Sequence, residues 1–138
     1  MKKQLIYKLE DTSVMGMLGS YGSAAQCYRL GNFVYMTSQT GFTLDGQLVG
    51  AYDPAVQAQQ ACENIKALME RAGGTIDDIV KVIVYVTDRD YRATAYPVIR
   101  SFFKLRPCGT GVVVDGLARP ELTVEIDAWG FIDDEERP

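Results

Sequence analysis

Glu125 is the residue on which chemistry could turn. It stands in Val124-Glu125-Ile126, within the run Leu122 to Ile132, where Val124, Ile126 and Ala128 alternate with Glu125, Asp127 and Trp129. That alternation predicts a strand with Glu125 on one face. There the carboxyl is either an acid–base group or one end of a structural hydrogen bond. The chain contains no histidine, so the usual base near neutral pH is missing, along with Ser-His-Asp and Cys-His pairs and the commonest zinc ligand. Any chemistry must use carboxylates, guanidiniums, hydroxyls, backbone groups and bound water. Arg119 either binds an anion or pairs with Glu121 or a neighbouring subunit. Arg106 is close in sequence to the glycine-rich run that follows it, or simply solvated at a helix end. Thr37 offers a hydroxyl to a ligand or to the backbone. Cys108 has no histidine to activate it and is a poor nucleophile.

Composition narrows the class. At 138 residues the chain is expected to form one domain over 1–138, with a charged tail from about 133. A net charge of −4 lacks the basic footprint of a nucleic-acid binder. No apolar run approaches the roughly 20 residues of a membrane helix, and Met1-Lys2-Lys3 is not followed by the apolar core of a secretory signal. Three scattered cysteines, Cys27, Cys62 and Cys108, argue against a disulfide framework and for a cytoplasmic setting.

The elements that must position these residues follow from patterning. Gln4 to Leu9 alternates as a strand. Asp11 to Gly22, with three glycines, is a loop that packs on the domain or closes as a lid over a pocket. Ala24 to Arg29, a turn at Leu30-Gly31-Asn32 and a strand over Phe33 to Thr37 continue a meander. Asp45-Gly46 predicts a two-residue hairpin within Thr43 to Val49. Asp53-Pro54 starts a helix expected to reach Ala72, with Val56, Ala61, Ile65, Leu68 and Met69 as its apolar stripe and Gly73-Gly74 as its cap. After a capped turn at Thr75 to Asp78, the run Val80 to Thr87 predicts a strand buried on both faces. A second helix is expected from Thr94–Tyr96 to Lys104 with Pro97 in its first turn, then strands over Gly111 to Val114 and Leu122 to Ile132. The order predicts an α+β fold, a mixed sheet with both helices on one face. Two helices leave the other face to be covered by self-association.

Several stretches in this order resemble the Rid/YjgF family of reactive intermediate deaminases. They are Leu30 to Tyr35, the Gln39-Thr40-Gly41 turn, Gln59 to Gly74, Asp78 to Val82 with Val84 to Asp88, and Leu117 to Ala128. The resemblance implies a chorismate-mutase-like fold, a homotrimer with clefts between subunits, no cofactor and no metal. It further implies hydrolysis of enamines and imines such as 2-aminoacrylate, with an arginine pairing the substrate carboxylate and a glutamate acting on water. The family glutamate falls on Glu125, the family's strand-end serine on Thr37, its glycine-loop tyrosine near Ala24 (with Tyr21 or Tyr28 as substitutes in space), and its second-helix asparagine near Tyr96. The arginine of the family's Pro-x-Arg-Ser/Thr-Cys run falls on Gly109, followed by Thr110 and then Gly111 in place of the cysteine.

The expected activity is therefore water addition to a small reactive imine or enamine other than 2-aminoacrylate, such as a bulkier ring-cleavage product, at an inter-subunit cleft. The expected partners are further copies of the chain and a small carboxylate, with no nucleic acid and no membrane. Arg119, or the backbone N–H groups of Gly109 and Gly111, would replace the missing guanidinium. The alternatives are a trimer that binds a metabolite without turning it over, or one that is purely structural.

Overall fold

The computed structural model describes residues 2–9 and 24–136; the loop Asp11 to Gly22, its expected lid role and Tyr21 lie outside them. Three antiparallel strands form a meander: β1 (Lys3–Leu9), β2 (Ala24–Leu30) and β3 (Phe33–Met36). Then come α1 (Pro54–Arg71), β4 (Ile79–Val86), α2 (Arg92–Ser101), β5 (Cys108–Val113) and β6 (Val124–Phe131). They make a six-stranded mixed sheet in the order β1-β2-β3-β6-β4-β5, with β4 and β5 parallel and joined through α2. This is the expected α+β architecture. Among the described residues, no helix is long and apolar enough to cross a membrane.

The helix α1 forms where its signals stand. The Asp53 carboxylate accepts the N–H groups of Ala55 and Val56, each at 3.1 Å, Pro54 occupies the first turn, and Gly73 takes φ +96° just past the end. Its buried face differs from the expected stripe. Val56 is exposed, whereas Gln57 and Asn64 are buried with Ala61, Ile65, Leu68 and Met69. The polar pair is tolerated because its hydrogen bonds are filled by loops: Asn64 donates to the Phe42 carbonyl at 2.6 Å, and Gln57 to the Gly50 and Glu121 carbonyls at 2.8 and 2.6 Å. Ile65, Leu68 and Met69 each stabilise the fold by about 1.5–3 kcal/mol relative to exposure.

Further boundaries moved for identifiable reasons. Asp45-Gly46 sits in a tight turn, but Gly46 N–H bonds Thr43 O and Thr43 N–H bonds Gln47 O, so Leu44, Asp45 and Gly46 form a three-residue loop. Its flanks make only a single bridge, Phe42 to Leu48, rather than strands. Helix α2 begins at Arg92, because a 3-10 turn at Arg89–Tyr91, capped by the Asp88 carboxylate, runs straight into it. Pro97 is therefore interior and, lacking an N–H, cannot donate to the carbonyl of exposed Ala93. The helix ends early because the Asp77 carboxylate takes the N–H groups of Lys104 and Leu105 at 2.9 and 3.1 Å. Strand β5 begins at Cys108 rather than Gly111, paired with β4 from Lys81 onward. In β4 only Ile79, Val82, Val84 and Val86 are buried, while Lys81, Ile83 and Tyr85 are half-buried; one face, not both, is covered. The uncovered face continues across β3 and β6, where Phe33, Tyr35 and Phe131 are 48%, 47% and 39% exposed.

Candidate functional site

The residues singled out from the sequence fall into two groups, and the sheet lies between them. Glu125 belongs to β6, whose Val124, Ile126 and Ala128 enter the core. Strand alternation therefore turns Glu125 to the uncovered face. It borders a cavity of about 190 Å3 lined also by Thr37, Gln26, Gln39, Thr40 and Leu44. Among the described residues no hydrogen bond or ion pair reaches its carboxyl. Burial, and secondarily the Asp127 charge, push its pKa above the ordinary glutamate range. A carboxyl held this way carries a proton at higher pH than a solvated one, which is the property a general acid or base needs.

The wall beside Glu125 is built by a residue not singled out as functional from the sequence. Gln39 and Ile126 exchange backbone hydrogen bonds, both at 2.8 Å, which sets the loop after β3 against β6. The buried Gln39 amide donates to Thr37 O at 2.7 Å and to Gln26 Oε1 at 3.2 Å. Two buried glutamines bonded to each other mark a polar wall, and the Gln39-Thr40-Gly41 run was the signal available for it. The Thr37 hydroxyl is committed to the Ala25 carbonyl at 2.7 Å. Ala24 pairs with Leu9 in the β1–β2 ladder, and Leu9 lines the same cavity. Tyr28 lies further along β2, with the Lys3 ammonium 4.2 Å above its ring.

The second group surrounds a cavity of about 260 Å3 between α2 and the β4–β5 edge, with Tyr96, Gly109, Thr110 and Gly111 in its lining. A Cβ on Gly109 would come no closer than 3.9 Å to Val82, whereas one on Gly111 would fall 2.0 Å from the Tyr96 hydroxyl. Both glycines thus face the helix layer, and Gly111 gives its side-chain space to Tyr96. The Thr110 side chain points the other way, and its hydroxyl receives the Lys81 ammonium at 2.7 Å. Val114 N–H bonds Val86 O, so by alternation the N–H groups of Gly109 and Gly111 point away from β4, along the free edge of the sheet. They are available as backbone donors.

Arg119 is engaged within its own loop. Its Nη2 lies 3.0 Å from Glu121 Oε1 and its Nε 3.3 Å from Oε2, with Phe42 5.9 Å beneath the guanidinium. Hydrogen bonding to Arg119 holds the Glu121 carboxyl below the usual range. Burial raises the Cys27 and Cys62 thiols to about 11 and about 12, which leaves them as inert core residues. Among the described residues no cluster of histidine, cysteine or carboxylate side chains could hold a metal ion.

Known proteins share this fold. The family described as endoribonuclease L-PSP matches residues 15–132. A RutC family protein of Pyrococcus horikoshii is 32% identical over 112 residues, covering 80% of this chain and 87% of its own. The crystal structure of RidA from an Antarctic Psychrobacter species is 34% identical with a TM-score of 0.71, covering 78% of this chain and 87% of that one. Escherichia coli TdcF, solved with bound serine, is 29% identical with a TM-score of 0.72, covering 79% and 87%. With a glutamate in β6 and a glycine where the resemblance places the arginine of β5, the chain belongs to the endoribonuclease L-PSP family, that is, the Rid/YjgF family.

Proposed function

We propose that the protein hydrolyses a small imine or enamine, other than 2-aminoacrylate, in a cleft shared by two copies of the chain. The observation that carries this reading is that Glu125 and the Tyr96–Gly109–Gly111 cluster lie on opposite faces of one sheet. One chain cannot close both groups around a single molecule, but the β5 edge of a second copy laid over the uncovered face of the first can. Three copies closing in a ring give three such clefts. The uncovered face suits this, because Phe33 and Phe131 stack edge-on at 5.2 Å with Tyr35 beside them, an exposed apolar stripe. In the cleft, R–C(=NH)–COO⁻ and H2O give R–CO–COO⁻ and NH3. Glu125 takes a proton from water as it adds to the C=N carbon and returns it to the departing nitrogen. The β5 side of the cleft, supplied by the second copy, receives the carboxylate. The three free cysteines suit a reducing cytoplasm.

The matched family is described by ribonuclease activity, but a chain of net charge −4 without histidine is poorly suited to binding and cleaving a phosphodiester backbone. A non-catalytic binding trimer is favoured over hydrolysis by one feature: among the described residues, Glu125 is the only titratable group lining the smaller cavity. Ammonia release from imines freshly generated from several amino acids separates the two. Turnover above the buffer rate supports hydrolysis; ligand-raised Tm without turnover supports binding. Sedimentation of the wild type should give a mass three times that of the chain, and Phe33→Asp should shift it to the monomer. A monomeric wild type would overturn the shared cleft.

A further inference from the structure

The larger cavity is apolar along its length and cationic at its rim. Val82, Val84, Ile99 and Phe103 form its walls, and Arg100 and Arg106 line it as well. Among the described residues, neither guanidinium has an ion pair or hydrogen bond, and no carboxylate lines the cavity. Gly109 is there without a backbone reason. Its φ is not positive, and a Cβ would meet only Val82 Cγ2 at 3.9 Å. A glycine within a strand weakens it, and one reason for a glycine there is the close approach of a ligand or another backbone. At about 260 Å3 the space exceeds the roughly 150 Å3 that accommodates benzene in an apolar cavity. It is far more room than a three-carbon acid fills.

We propose that this cavity holds the apolar body of a ligand whose single carboxylate is held by Arg100 and Arg106. The chain then binds aryl or branched-chain 2-oxo acids and their imines in preference to those of pyruvate size. The inference rests on the shared-cleft reading for its place in catalysis, but binding to the cavity is measurable by itself. It also gives the missing β5 arginine a physical counterpart. The anionic anchor moves to the end of α2 and the segment before β5, and the vacated volume admits a ring.

Calorimetric titration of the full chain with phenylpyruvate and with pyruvate, which share a headgroup and differ in the body, tests it. Phenylpyruvate should bind about ten- to hundred-fold tighter than pyruvate. Gly109→Leu should fill the cavity and remove that preference while leaving Tm nearly unchanged. Arg100→Gln, a substitution at an exposed side chain that does not threaten the fold, should weaken phenylpyruvate binding several-fold at low salt. Equal affinities for the two acids, or a preference that survives Gly109→Leu in a folded variant, would overturn the proposal. Binding with the expected preference but no ammonia release sinks hydrolysis alone; ammonia release without the preference sinks the ligand class alone.

Discussion

Replacing Glu125 by glutamine is expected to lower imine hydrolysis by about 10²–10⁴-fold, the range contributed by a positioned acid–base group, while the oligomeric state stays that of the wild type. Glutamine keeps the shape and can still hydrogen-bond, but it cannot shuttle a proton. A purely structural Glu125 would tolerate the change with little loss of turnover. Stability carries a second, independent signature. The folded pKa of Glu125 is raised by burial first and by Asp127 second, whereas in the unfolded chain a glutamate ionises near about 4.3. The folded state therefore favours the neutral form. The stability this contributes is complete below about 4.3 and is lost as pH rises through the raised folded value. Glutamine never ionises and escapes that loss. Glu125→Gln should thus melt at or above the wild type at pH 8, and with it at pH 4. A Tm below the wild type at pH 8 would mean that the carboxylate has a stabilising partner.

Gln57→Leu should lower stability by about 3 kcal/mol, or roughly 10 °C in Tm. Gln57 is fully buried, and its amide joins three segments at once. Its Oε1 accepts both the N–H and the hydroxyl of Thr123, at 2.7 and 3.0 Å, and its Nε2 donates to Gly50 and Glu121. Gly50 O and Glu121 O each keep a second donor, from Asp53 and Tyr52. The Thr123 N–H does not, so leucine leaves a buried donor unpaired just before the strand that carries Glu125. Gln57→Glu, which keeps an acceptor, should recover part of the loss at acid pH, where its carboxyl is neutral. Thermal melts of the two variants at pH 4.5 and pH 8 check this; a Gln57→Leu variant that melts with the wild type would show that Thr123 finds another acceptor.

The same residue marks what the sequence could and could not disclose. Local rules carried α1, because Asp53, Pro54 and Gly73 each act through their immediate neighbours. They carried β6 for the same reason, its alternation reporting directly on one buried face. Apolar periodicity failed at Gln57 and Val56, since the burial of Gln57 depends on carbonyls and an N–H supplied by loops far along the chain. It failed again at β4, whose uncovered residues are apolar enough to suggest a second layer that one chain does not provide. Glu125 was legible through an alternating strand and a family resemblance. The division of Glu125 and Gly109 between two faces was not, because it depends on the order β3-β6-β4-β5 and on where β5 begins. Arg100 went unnoticed because nothing in an isolated helix end distinguishes a cavity rim from a solvated surface.

The claim that the site is shared between chains is tested most directly by mixing two inactive proteins. Glu125→Gln disables the half on β6, and Gly109→Leu the half on β5. Each alone should turn over little of the imine formed from phenylalanine. Unfolded together and reassembled in equal amounts, they should form mixed oligomers in which about a quarter of the clefts draw both intact halves, one from each kind of chain. Ammonia release should then rise to roughly that fraction of the wild-type rate. A mixture no more active than the average of its two components would contradict a site built across the interface.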